Sequence, residues 1–202
     1  MREITLKIYK FSELSEKAQR RAWEMGPDFS DSYSSEYRAT LKKFQDIFDI
    51  SVYRWSVDSC TYDYGYVTAG TAGGSPEGDA LRLARFIWNN YAEHILKGRY
   101  YSTRGRYIDG KYHYKYRYSK VTKTMDSCPL TGAYVDMNIL QPVIDCLHYK
   151  RFFDSYNDLM DACLDSFFRA WRNEIEYCSS LEYFAEMCEC NDYEFYETGE
   201  ML

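Results

Sequence analysis

Two periods of apolar residues along the chain predict its secondary structure. Residues 3–9 and 111–118 alternate apolar or aromatic residues with polar ones, which is typical of strands. Elsewhere apolar residues recur every three or four positions, as Tyr37, Leu41 and Phe44 do, which is typical of a buried helix face. In chain order these patterns predict a strand at 3–9, helices at about 12–25 and 31–48, strands near 51–57 and 61–69, a helix at 79–97, a hairpin at 99–123, helices near 136–148, 156–177 and 180–190, and a short strand at 193–196.

This order of elements predicts an α+β fold, in which an antiparallel sheet packs against several helices and a β-hairpin protrudes. Ser12 or Ser15 can cap the first helix, and Asp79 can cap the helix that follows the second pair of strands. With 202 residues, no internal repeat and no evident linker, the chain is expected to form a single domain over 1–202. Its part at about 134–190 is expected to be helical and acidic.

The hairpin carries a regular alternation of tyrosine with basic residues or histidine. Because successive strand residues point to opposite faces, the alternation predicts one aromatic and one mostly cationic face. Cations suit phosphates and aromatic rings suit base stacking, so the hairpin is a candidate nucleic-acid-binding element. Its candidate residues are Arg104, Arg106, Lys111, Tyr112, Tyr114, Lys115, Tyr116 and Arg117. The alternation equally fits a sheet whose tyrosines, with Tyr118, pack on a helix while the cations face solvent.

Charge is segregated along the chain, although the formal net charge is only −6. From Arg99 to Lys123 there are eight Lys or Arg and one acid, Asp109. From Asp154 to the end there are thirteen Asp or Glu and two arginines. Such polarity can steer partners of either sign, or the two regions can face each other and neutralise within the fold.

The acidic region contains two groups of carboxylates at helical spacing, which we interpret as a candidate partner-binding face. The residues are Asp158, Asp161 and Asp165 in one helix and Glu182, Glu186 and Glu189 in the next. An acidic helix face can imitate the phosphates of DNA and occupy the basic groove of a nucleic-acid enzyme. The alternative is a solvated helix face with no further role.

Catalytic and cofactor signals are weak, which favours a binding protein over an enzyme. The glycine-rich loop at 70–78 precedes a helix but lacks the Gly-Lys-Ser/Thr ending of a phosphate loop. Cys188-Glu189-Cys190 lacks the second cysteine pair of a zinc site. Asp109-Gly110-Lys111 resembles half of a restriction-type nuclease site but falls on a predicted turn. We therefore predict no catalytic residue, no metal and no cofactor.

The predicted compartment follows from the cysteines and from hydropathy. Seven cysteines without regular spacing suit free thiols in a reducing compartment. No apolar run approaches the roughly 20 residues of a membrane helix, and the first residues lack a signal-peptide core. A cytoplasmic protein with no membrane partner is expected.

Three segments resemble a family of small proteins encoded by phages and mobile elements of Firmicutes. Leu6–Gln19 resembles their opening, and Pro129–Asp136 with Ile139–Val143 resembles their middle. Asn191–Phe195, with Thr198 and Gly199, resembles their end. Members are labelled hypothetical, or loosely as the antitoxin of a toxin–antitoxin stability system. The resemblance brings no catalytic residues, but accessory phage proteins of this size are frequently counter-defence factors, including anti-CRISPR proteins.

The resemblance therefore implies a phage or mobile-element counter-defence protein that works in the cytoplasm of the host bacterium. We expect an anti-CRISPR inhibitor that binds a CRISPR effector nuclease, or its nucleic acid, and blocks it stoichiometrically. The expected partners are a host defence nuclease or ribonucleoprotein and, through the basic hairpin, nucleic acid. Two alternatives stay open: an antitoxin-like module that sequesters a toxin, and a metal-dependent nuclease. The oligomeric state is left open.

Overall fold

The fold of the chain is α+β, as predicted. The computed structural model describes residues 7–69, 75–95, 101–108, 111–119, 128–150 and 152–202, and for 101–108 and 111–119 it describes the backbone alone. The elements are α1 (Glu16–Met25), α2 (Ser34–Phe48), β1 (Ile50–Val57), β2 (Tyr62–Thr68), α3 (Ala80–Ile95), β3 (Tyr101–Ile108), β4 (Lys111–Ser119), α4 (Asp136–Tyr149), α5 (Tyr156–Cys178) and α6 (Leu181–Cys190).

The predicted helices are all present, and the strands of the described ranges form two separate antiparallel pairs, β1–β2 and β3–β4. Most of the strand predicted at 3–9 and the predicted turn at Asp109-Gly110 lie outside the described residues. Tyr9 makes an isolated antiparallel bridge with Phe195, which is where the short last strand was expected.

Helix starts follow the capping residues visible in the sequence. The Ser15 hydroxyl accepts a hydrogen bond from the Ala18 N–H at the start of α1. The Asp79 carboxylate accepts bonds from the N–H groups of Leu81 and Arg82, both at 3.0 Å, at the start of α3. Because the first N–H groups of a helix lack partners within it, these side chains set where each helix begins.

The chain divides into two compact units, which are described separately. The terminal unit comprises Met1–Ser34, Asp58–Thr61 and Trp171–Leu202, and the central unit comprises Ser35–Val57 and Tyr62–Ala170. That the whole chain is one domain remains a prediction.

The core of the terminal unit joins the two ends of the chain. Tyr9 and Phe195 exchange two backbone hydrogen bonds of 2.9 Å, and the Phe11 ring contacts the rings of Phe184 and Phe195 edge-on. The Lys10 ammonium lies 2.8 Å from a carboxylate oxygen of Asp192. The opening and closing segments of the chain, both part of the resemblance, therefore pack together in this unit.

The central unit is built on an aromatic core. The face predicted for α2 is buried, since Tyr37, Leu41, Phe44 and Phe48 are at most 3% exposed. The Phe48 ring stacks with the rings of Phe44 and Tyr91, and the Tyr156 hydroxyl donates to the Phe48 carbonyl. Aromatic pairs of this kind add to the burial of apolar area that stabilises a core.

Candidate functional site

The acidic face of α6 is exposed and regular. Glu182, Glu186 and Glu189 are all exposed, while Phe184 and Cys188 on the other side of the helix are at most 2% exposed. Residues four and three apart lie on one side of a helix, separated by about 6 Å and about 4.5 Å along its axis. The buried residues thus fix α6 so that it presents three carboxylates to solvent, a set we call the α6 acidic face.

The α6 acidic face has little charge compensation. Across the described part of the chain, no Lys, Arg or His comes within 4.0 Å of these three carboxylates. The Tyr177 hydroxyl donates to Glu186 at 3.0 Å. That hydrogen bond, more than partial burial, raises the pKa of Tyr177. The face is therefore a set of carboxylates without counter-ions, with one phenol beside it.

The surrounding unit reinforces the negative charge. By sequence, the terminal unit holds 16 acidic and 7 basic residues, a formal net charge of −9. The central unit holds 15 acidic and 18 basic residues, a formal net charge of +3. The terminal unit is therefore the negative one, although four of the acids counted from Asp154 onward belong to the central unit, namely Asp154, Asp158, Asp161 and Asp165.

The other acidic group, on α5 in the central unit, has structural partners. The Tyr62 hydroxyl donates to Asp165 at 2.6 Å, and the Tyr64 hydroxyl donates to Asp161 at 3.1 Å. Asp165 also lies 3.7 Å from the Arg169 guanidinium. Two of the three carboxylates thus hold β2 against α5, and the partner-binding role of Asp158, Asp161 and Asp165 stays a prediction.

The tyrosines of β2 form a row of hydroxyls along α5. The Tyr66 hydroxyl donates to the Asn157 carbonyl at 3.0 Å, and the Tyr62 and Tyr64 rings stack on Phe168 at 6.4 and 5.2 Å. Burial, followed by the charge of Asp161, raises the pKa of Tyr64 above its usual range and that of Tyr66 to about 12. The content of Tyr, Val and Thr predicted a strand here, but gave no indication of what its tyrosines contact.

These tyrosines predict a loss of stability in alkali. The pKa of Tyr66 is about 12 in the fold, against about 10 in an unfolded chain. Between these pH values the folded protein retains protons that the unfolded chain loses, so the free energy of unfolding falls as pH rises. We expect about 1 kcal/mol of loss per tyrosine after allowance for solvent screening. Urea unfolding at pH 9 and pH 12 would measure this loss. A variant with both Tyr64→Phe and Tyr66→Phe lacks the two phenols, so an equal loss of stability in that variant would contradict the prediction.

The hairpin of β3 and β4 has an irregular backbone register. Tyr114 pairs with Gly105 and Tyr116 pairs with Arg104, so β4 has one extra residue, Lys115, at this point. An inserted residue of this kind is a β-bulge, and it interrupts the two-residue alternation. Tyr112 and Tyr114 therefore do not share equivalent register positions with Tyr116 and Tyr118.

The proposed roles of the hairpin residues in nucleic-acid binding stay predictions. Their side chains lie outside what the structure describes, and the backbone shows only their strand positions. The candidate residues are Arg104, Arg106, Lys111, Tyr112, Tyr114, Lys115, Tyr116 and Arg117.

The glycine-rich loop is described only at its end, because 70–74 lie outside the described residues. There the Gly78 N–H donates to the Asp154 carbonyl at 2.8 Å, and the Asp79 carboxylate occupies the first N–H groups of α3. The start of α3 is thus closed by the chain's own carboxylate, which disfavours the binding of a phosphate there.

The described ranges contain no group of three or more His, Cys, Asp or Glu that could hold a metal ion. Within the same ranges no helix has the length and apolar character needed to cross a membrane.

A buried carboxylate in the central unit was missed by sequence analysis. Asp136 is fully buried, and its two oxygens accept five hydrogen bonds of 2.7–3.1 Å. The donors are the N–H groups of Leu130, Thr131 and Gly132 and the hydroxyls of Thr40 and Thr131. We call this arrangement the Asp136 cage. It gives a structural role to Pro129–Asp136, which is part of the family resemblance, and the burial of the carboxylate leaves no open access for a substrate.

Comparisons with known proteins leave the resemblance to phage and mobile-element proteins as a prediction. No protein-family model, no curated protein and no solved structure matches the chain.

Proposed function

We propose that the chain is a counter-defence protein of a phage or mobile element, and that it inhibits a nucleic-acid-processing nuclease by occupancy. In this proposal the α6 acidic face binds the basic channel of a CRISPR effector nuclease in place of nucleic acid. The observation that carries it is the row of three exposed carboxylates, which have no counter-ion among the described side chains, on a unit of formal net charge −9.

Electrostatics supports this choice of partner. A nucleic-acid channel is lined with Lys and Arg that normally neutralise phosphates. Carboxylates placed about 5 Å apart on a rigid helix can replace those phosphates, and the negative unit around them accelerates association at low salt. Such an inhibitor needs no catalytic group, in keeping with the weak catalytic signals of the sequence.

The test is inhibition of target-DNA cleavage by purified CRISPR effector nucleases. We expect a one-to-one dose response that weakens as salt concentration rises. Changing Glu182, Glu186 and Glu189 together to glutamine is expected to raise the inhibitor concentration for half-maximal effect at least about tenfold, roughly 1.4 kcal/mol of binding free energy. The three side chains are exposed, so the variant should remain folded.

A matched control separates the α6 acidic face from the total charge. Changing Glu24, Glu197 and Glu200 to glutamine removes the same charge from exposed positions of the same unit. Glu24 and Glu197 line a cleft together with Lys17 and Arg20 of α1, away from the α6 acidic face. Equal losses of inhibition in both triple variants would contradict a specific face. The antitoxin-like alternative predicts a different result. The chain would not inhibit cleavage, but its co-expression would protect cells from a toxin encoded by a neighbouring gene.

A further inference from the structure

A groove between α3 and α4 in the central unit has no part in the proposed function. Leu81, Ala84 and Trp88 of α3 and Leu147 of α4 supply its apolar walls. Its volume of about 400 Å³ lies in the range of small-molecule sites.

The groove borders the core face of α3, from which it takes the buried residue Ala84. Leu83, Ile87 and Tyr91 form the buried face of this helix and are at most 5% exposed. Leu81 and Trp88 are seven residues apart, so they form a second stripe along α3, and Leu81 remains 43% exposed. Apolar side chains left accessible in a concave surface are typical of a ligand site.

Both charged residues that line the groove are cations, Arg85 and Lys150. Among the residues whose side chains are described, no carboxylate lies within 4.0 Å of either one. Arg82, on the same helix, instead pairs with Asp79 at 3.5 Å. The groove therefore combines apolar walls with two uncompensated positive charges.

The backbone conformation of Lys150 suggests that its side chain has a role beyond folding. It follows α4 in the left-handed region, with φ of 56°, and its N–H donates to the Cys146 carbonyl at 3.0 Å. Glycine is the residue favoured at this position after a helix, because any other side chain is strained there. A cation thus stands at the edge of the groove where glycine would be more stable.

We infer that the groove binds a small amphipathic anion. Its apolar, preferably aromatic body packs between Leu81, Trp88 and Leu147, and its single carboxylate, sulfonate or phosphate group lies between Arg85 and Lys150. The apolar walls supply affinity by burial, and the two cations orient the ligand through charge-assisted hydrogen bonds. This site is independent of the α6 acidic face, so either proposal can fail without the other.

The probe for this site is anilinonaphthalene sulfonate, an aromatic anion whose fluorescence rises on binding. We expect saturable binding to one site of the full chain, and a Kd raised about tenfold by Arg85→Gln, as expected for a lost charge-assisted bond. Arg82→Gln, three residues earlier on the same helix, removes the same charge outside the groove and should change the Kd less than about twofold.

Lys150→Gly separates binding from folding. This change relieves the left-handed strain, so the Tm is expected to rise by a few degrees while the Kd rises about tenfold. A lysine with a purely structural role would instead lower the Tm when replaced. The inference is overturned if the chain shows no saturable binding of the probe, or if Arg85→Gln and Lys150→Gly both leave the Kd unchanged.

Discussion

Replacing Asp136 with alanine is expected to lower the free energy of unfolding by roughly 3–5 kcal/mol, the largest single effect we predict. The change leaves three backbone N–H groups and two hydroxyls of the Asp136 cage without their acceptor. Buried donors that lose a partner pay their full desolvation penalty, roughly 1–3 kcal/mol each before relaxation. Urea unfolding followed by circular dichroism measures the difference.

A second aspartate of the same helix provides the matched control. Asp145, at a half-buried position of α4, accepts a hydrogen bond from the side-chain amide of Gln141 at 2.9 Å. Asp145→Ala is expected to change the free energy of unfolding by about 0.5 kcal/mol or less, as surface substitutions usually do. An Asp136→Ala variant within about 1 kcal/mol of the wild type would show that the cage is not what holds the 130–136 segment.

The helices could be predicted from the sequence because apolar residues recur at helical spacing on the face that each helix buries. Leu41, Phe44 and Phe48 repeat at helical spacing, and all three are at most 3% exposed in the fold. The Asp136 cage could not be predicted in the same way. An aspartate in the first turn of a helix is usually a solvated residue that favours the helix dipole. Only the tertiary fold brings the Thr40 hydroxyl, 96 residues earlier in the chain, to that carboxylate.

The candidate site shows the same limit of sequence reasoning. The acidic groups of α5 and α6 have nearly the same spacing, so the sequence alone treated them as equivalent. Packing distinguishes them, because the tyrosines of β2 lie on α5 and donate to Asp161 and Asp165. The bulge at Lys115 was equally invisible, since a perfect alternation in sequence does not report the pairing register of two strands.

Replacing Gly199 with alanine is expected to lower the free energy of unfolding by roughly 3–4 kcal/mol. Gly199 has φ of 86°, and a Cβ atom there would lie 2.2 Å from the Ala18 carbonyl oxygen and 2.9 Å from its carbon. The left-handed conformation alone costs alanine about 1 kcal/mol. The remainder arises because the obstacle is the α1 backbone, which cannot rotate away as a side chain can. Thermal and urea unfolding give the measurement.

Gly132 tests this reasoning, because it shares the conformation but not the close approach. Its φ is 92°, and a Cβ atom there would meet nothing within 4 Å. Gly132→Ala keeps the N–H that donates to Asp136, so we expect a loss of only about 1 kcal/mol. The difference in free energy of unfolding between the two variants, about 2–3 kcal/mol, measures the close contact between the turn that contains Gly199 and α1. Similar losses in both would mean that conformation alone explains why glycine stands at 199, and that the close approach to Ala18 adds nothing.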